Sequence, residues 1–270
     1  MSRADVVTLL YVVAFVLFIE GLRRLRGPRT AVVGNQIAAV GMAIAVVATL
    51  IDRRIGDWEL IVVGLVIGTA IGIPSARSVK MTAMPQMVAL FNGVGGGAVA
   101  LISLVEYREA LEEGGGNPAL EELIPILFAA IIGSISFWGS IVAFLKLQES
   151  LKGRFRIPRA VNAGLAALAV ALAIVIAAGA ESELLFWLVL LVAGALGVLA
   201  VLPIGGADMP VVISTLNAFT GLSAAAAGLA LDNTALIVAG MLVGASGSIL
   251  TRQMAEAMNR SIASLSLIHI

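Results

Sequence analysis

The 270 residues are 60% hydrophobic and 13% charged, with a mean hydropathy of +1.06. Soluble globular chains run near half apolar and a quarter charged, so this composition excludes that class and indicates an integral membrane protein. The 17 basic and 17 acidic residues cancel, leaving no bulk charge to attract nucleic acid, and the absence of Cys removes disulfides, thiolate chemistry and Cys-ligated metals.

A bilayer core about 30 Å thick needs about 20 mostly apolar residues per helix. Runs bounded by charge, Pro or Gly clusters predict nine spans, at 4–22, 30–51, 58–76, 84–106, 121–147, 160–180, 183–203, 208–231 and 234–255. The first lacks a small-residue cleavage site and runs into 23-RRLRGPR-29, so it is expected to stay as a helix rather than be cleaved. Between spans four and five, 107-YREALEEGGGNPALEE-122 reads as a solvated connector without chemistry. The sole His, His269, falls in the terminal run ASLSLIHI, where a tag, cloning scar or truncation edge is expected; residues 1–262 are then the membrane domain and 263–270 a foreign tail.

Lys and Arg collect in cytoplasmic loops. The loops after spans one, three and five, together with the C-terminal tail, hold 13 of the 17 basic residues, from Arg23 to Arg260. Only Arg3, Arg53, Arg54 and Arg108 fall on the other side, together with most of the acids. The expected fold is an all-α bundle of about nine transmembrane helices, N-terminus outside and C-terminus cytoplasmic.

Depth follows from the helical rise. Asn217 lies about 13 Å past the start of span eight at Asp208, Asn92 about 12 Å into span four, and Ser140 about 10 Å from the end of span five. Three polar side chains on three helices therefore share a layer, with Ser246 and Ser248 on span nine and Asn35 and Gln36 on span two within a turn or two of it. Amides and hydroxyls of this kind commonly serve as interhelical glue, at about 0.6 kcal/mol per pair. Their clustering instead suits a water-holding layer on a proton path. Asp208 is the one acid near a span mouth on the basic side without a basic neighbour in sequence; it also fits a helix N-cap, with Pro210 in the first turn.

The run 93-GVGGGA-98 matches a dinucleotide fingerprint in letters but lies mid-span, so close helix packing is the better reading. The same holds for 64-GLVIGTAIG-72 and 240-GMLVG-244. No Walker sequence, zinc pattern, nucleophile elbow or pair of inward carboxylates is present. A secondary transporter of a small solute is the alternative class; it predicts inverted repeats with paired broken helices, and the two halves show no convincing similarity.

The blocks 205-GGADMPVVISTLN-217, 222-LSAAAAG-228, 236-LIVAGMLVGASGSIL-250 and 257-AMNRS-261, with 81-MTAMPQMVAL-90 and 133-GSISFWGSIVAFLKL-147, resemble the membrane part of the beta subunit of proton-translocating NAD(P) transhydrogenase, an inner-membrane enzyme. The resemblance covers most of the chain from residue 70 onward. It implies that hydride transfer between NAD(H) and NADP(H) in soluble domains is coupled to proton movement through these helices. It implies, too, an NADP(H)-binding domain that would follow the AMNRS block and is absent from this chain, so that no cofactor is bound here. The implied partners are an alpha-side membrane segment, a NAD-binding subunit, membrane lipid and a second copy of the complex as a homodimer. Residue by residue, Asp208 matches an Asp that couples to the NADP(H) domain, Asn217 and Ser140 match residues of the proton pathway, and Gly247 lies in a segment of helix packing and signalling. Asn92 departs from the pattern, standing where several members carry His. Asn does not titrate at physiological pH, so either a partner membrane segment supplies an ionisable group to the same layer or water chains between amides carry the proton, and the resemblance, with its alpha-side segment, favours the partner.

Overall fold

The computed structural model describes residues 2–51, 56, 58–114, 118–153 and 155–259. Among them nine helices are long and apolar enough to cross a membrane, and there is no strand. This is what an apolar solvent demands, since helices satisfy their own backbone groups. The chain divides into two compact units, Met1–Val79 and Lys80–Ile270. The tail at 263–270, His269 included, lies outside the described residues.

The first unit holds α1 (Arg3–Leu25), α2 (Ala31–Ile51) and α3 (Trp58–Ser78). Ser2 opens α1 in a capping box with Asp5. α1 and α2 form a close hairpin because small residues face each other: a Cβ on Gly34 would sit 2.8 Å from the Gly21 carbonyl oxygen. The Tyr11 hydroxyl meets Thr49 Oγ1 at 3.0 Å across the same pair. α3 buries none of its residues, and positions 64, 68 and 72 of its glycine stripe face open space. The close packing expected of 64-GLVIGTAIG-72 is therefore absent among the described residues.

The second unit holds α4 (Met84–Gly114), α5 (Leu120–Leu147), α6 (Arg159–Ala177), α7 (Glu183–Val201), α8 (Met209–Ala230) and α9 (Thr234–Ala257). α5 is its axis, packed along α4, α7 and α8, while α9 lies along α8. The packing is by backbone approach, as in other membrane bundles. A Cβ on Gly197 of α7 would lie 2.4 Å from the Ile135 carbonyl oxygen, and one on Gly240 of α9 2.4 Å from the Ala225 nitrogen. The runs 93-GVGGG-97 and 240-GMLVG-244 thus pack as expected.

One expectation fails outside the bilayer-length core. The supposed connector from residue 107 is helical through Gly114, and Tyr107 is wholly buried. Its ring stacks on Phe186 of α7 with centroids 4.7 Å apart, and its hydroxyl accepts from the Ser182 N–H at 3.2 Å and donates to the Ala180 carbonyl at 3.4 Å. Tyr107 carries a large apolar face in an otherwise acidic stretch, so its burial is not apparent from the segment's average polarity.

Among the described residues two of the apolar clusters mark opposite ends of the unit, with a smaller one of Val99, Ala129, Ala226 and Ala227 between α4, α5 and α8. One, at the Tyr107 end, gathers Leu104, Tyr107, Leu123, Ile126, Phe186 and Val189. The other, at the Asp208 end, gathers Ala89, Val142, Val201, Ile204, Met209 and Ile213.

Candidate functional site

Between the two clusters lies the polar layer, in the order each helix dictates. On α4 Asn92 falls between Ala89 and Leu104; on α5 Ser136 and Ser140 fall between Ala130 and Val142. Asn92 Nδ2 donates to Ser140 Oγ at 2.9 Å and to Ser136 Oγ at 3.3 Å, joining α4 to α5. Both amide protons are used on one helix because Ser136 and Ser140 are four residues apart and share a face. Ser136 reaches α8: its hydroxyl lies 3.0 Å from the Leu216 carbonyl oxygen and against Thr220 Oγ1, in a short contact where either hydroxyl can donate. Thr220 Oγ1 is itself 3.0 Å from the same carbonyl. Asn92, Ser136 and Ser140 are buried.

The side-chain oxygen of Asn92 is different. Oδ1 is buried without a hydrogen-bond partner among the described residues. A buried acceptor left unpaired costs about 1–3 kcal/mol, so a donor reaching this atom would be favoured.

Asn92 and Ser140 are therefore brought together as the depth arithmetic expected. Asn217 is not part of this network: it is half-buried, and its neighbours in sequence, Leu216 and Thr220, supply the contacts. Depth along a helix follows from rise alone, but azimuth turns about 100° per residue, and one position is enough to leave the face. Ser246 and Ser248 bond back to Val243 and Gly244 of their own helix, and Asn35 and Gln36 are exposed on α2 of the other unit. Gly247 packs on Ala218 of α8, where a Cβ would meet Cα and Cβ at 3.0 Å. Sequence reasoning missed Ser136 and Thr220. The signal for Ser136 was its spacing of four from Ser140.

Asp208 is the N-cap residue of α8, yet its side chain makes no capping hydrogen bond there. A single 3-10 turn, Gly206–Asp208, leads directly into the helix, with the Asp208 N–H on the Gly205 carbonyl at 3.1 Å. The cap reading is corrected on that point: the backbone of the preceding turn, not the carboxylate, starts the helix.

A sequence model of the NAD(P) transhydrogenase beta subunit matches residues 7–269. The chain belongs to that family. Two curated relatives, both NAD(P) transhydrogenase subunit beta of Rhodospirillum rubrum, one of them from a named strain, are each 42% identical over 258 residues, covering 93% of this chain and 55% of the relative. The chain thus spans about half the length of the curated relatives it matches. Within this transhydrogenase segment the glycine run of α4 offers no nucleotide cradle. It is closed by α5, where a Cβ on Gly96 would lie 3.0 Å from both the Gly133 oxygen and the Phe137 nitrogen.

Proposed function

We propose that this chain is the membrane domain of a proton-translocating transhydrogenase, coupling proton movement across the bilayer to hydride transfer between NAD(H) and NADP(H) in attached soluble domains. The network of Asn92, Ser136, Ser140 and Thr220, sealed between two apolar clusters and ending in the unpaired Asn92 Oδ1, is the observation that carries this reading. Hydroxyls both donate and accept, so each can pass a proton on as it takes one. Asn92 cannot titrate, and its role here is to orient Ser136 and Ser140 and to accept from a donor.

In this reading the donor is an ionisable side chain, or water held by it, from an alpha-side membrane segment that packs beside α4. Asp208 and the basic loops face the cytoplasm of a cell inner membrane and meet the NADP(H) domain. Asn217, at the depth of the layer on a neighbouring face of α8, is a water ligand of the route, and Gly247 lets α9 shift along α8. The complex also includes the NAD-binding subunit and works as a homodimer in lipid; family membership supports these assignments. Proton affinity at the layer and NADP(H) affinity are then linked, each altering the other by the same factor.

The test is proton pumping during transhydrogenation by the assembled enzyme in liposomes. Ser136→Ala and Asn92→Leu are expected to abolish pumping and coupled turnover while nucleotides still bind their own domains. Unchanged pumping in both would reduce the layer to interhelical glue and overturn the proposal.

A further inference from the structure

We propose that Lys146 is a positioning residue that ties the end of α5 to the turn between α7 and α8, so that a rearrangement at the hydroxyl layer reaches Asp208 as a displacement of backbone. The inference rests on the proton-coupling function above and names the part that transmits.

α7 ends at Val201 because Pro203 supplies no N–H and cannot continue a helix. The last carbonyls of a helix lack partners and carry the negative end of its dipole. Lys146 Nζ donates to two of the carbonyls that follow, Leu202 O and, at 2.7 Å, Ile204 O. The ammonium therefore straddles Pro203.

Ile204 before the turn and Met209 after it are buried in the apolar cluster of the Asp208 end. A Cβ at Gly205 or Gly206 would meet no atom within 4 Å, so open space surrounds that face of the turn. Gly205 has φ −76° and ψ 156°, ordinary extended backbone. Between the two apolar anchors, Lys146 is the side chain of the polar layer's own helix that grips this segment.

That helix is what makes the grip informative. Lys146 lies six residues from Ser140 and ten from Ser136 on α5, about 9 and 15 Å along the axis. The helix between them is regular, and its internal proline, Pro125, is near the opposite end. A tilt or shift of α5 as the layer changes its protons moves the ammonium, and with it the two carbonyls just ahead of Asp208.

The experiment measures transhydrogenation turnover of the assembled enzyme in liposomes, with and without an imposed proton gradient. The variants are Lys146→Met, Lys146→Arg and, as a control, Gln86→Met. Gln86 Nε2 donates to the Leu147 carbonyl at 3.1 Å, so its loss weakens the same end of the bundle without touching the turn. Lys146→Met is expected to lose the gradient response by at least about fivefold, in the range of allosteric couplings. Lys146→Arg, still cationic and able to donate twice, restores it, and Gln86→Met keeps it. If Lys146→Met responds as the parent enzyme does, or if Gln86→Met loses as much, the proposal is overturned. Should Lys146→Met fail to assemble, Lys146→Gln takes its place, and the same loss relative to Gln86→Met is required. Ser136→Ala and Asn92→Leu in parallel separate the two readings: normal pumping in both sinks the function itself, whereas their loss beside an unimpaired Lys146→Met sinks only the role of Lys146.

Discussion

The two ends of the second unit are fastened by different means. At the Tyr107 end, α4 and α7 are joined by a stacked aromatic pair inside an apolar cluster, with the Arg108–Glu183 ion pair at its edge. At the Asp208 end the apolar cluster is supplemented by long side chains, Gln86 reaching a carbonyl at the end of α5 and Lys146 reaching two in the turn after α7. Packed rings resist displacement in every direction, because a small gap already forfeits much of the contact. A single long donor tolerates sliding while it holds. The contrast places the stiff end of the bundle opposite the end where Asp208 stands.

Four substitutions break or sharpen this contrast. Phe186→Ala, which removes a fully buried ring from the stiff end, is expected to cost about 3–5 kcal/mol of stability, read as a large fall in thermal midpoint in detergent. A drop no greater than that of Gln86→Met would erase the distinction. Tyr107→Phe keeps the stack and deletes the hydroxyl between Ala180 and Ser182, so a loss of about 1–2 kcal/mol is expected in the same assay. Gln86→Met removes one hydrogen bond at the opposite end and is expected to cost about 1 kcal/mol. Amide exchange should then quicken around Leu147 while the helix segment at Tyr107 stays protected. Gly205→Ala is the smallest change: with ordinary dihedrals and open space around it, the alanine is expected to be neutral or stabilising by up to about 0.5 kcal/mol. A clear loss of stability there would mean that the turn has a second conformation in which glycine is needed.

The spans were legible because twenty apolar residues leave few alternatives in a bilayer. Which face of each span packs was much less so. α3 and α9 read alike in letters, each carrying glycines at spacings of four, yet α9 lies against α8 and α3 buries nothing. A uniformly apolar helix has no polar face to tell inside from outside, so hydropathy stops short of azimuth. The same limit explains the site. Asn92 and Ser140 were found through chemistry and depth together, but Asn217 had the right depth and a neighbour's azimuth, and Thr220 was passed over as one of many mid-span hydroxyls that bond back to their own helix. Tyr107 was lost in another way, through averaging over an acidic stretch of sequence.

Ser136 Oγ, Thr220 Oγ1 and the Leu216 oxygen form a small ring of two donors and three acceptors. The ring closes in either sense: Ser136 gives its proton to Thr220 and Thr220 to the carbonyl, or Thr220 gives to Ser136 and Ser136 to the carbonyl. In the second sense Ser136 accepts from both Thr220 and Asn92; in the first, from Asn92 alone. By themselves the two senses differ only in hydrogen positions, so the movement of α5 proposed above needs more than this switch, namely a donor arriving at or leaving Asn92 Oδ1. Structures of the layer in its two senses would superpose, and the record of which one is present would lie in the direction of two O–H bonds.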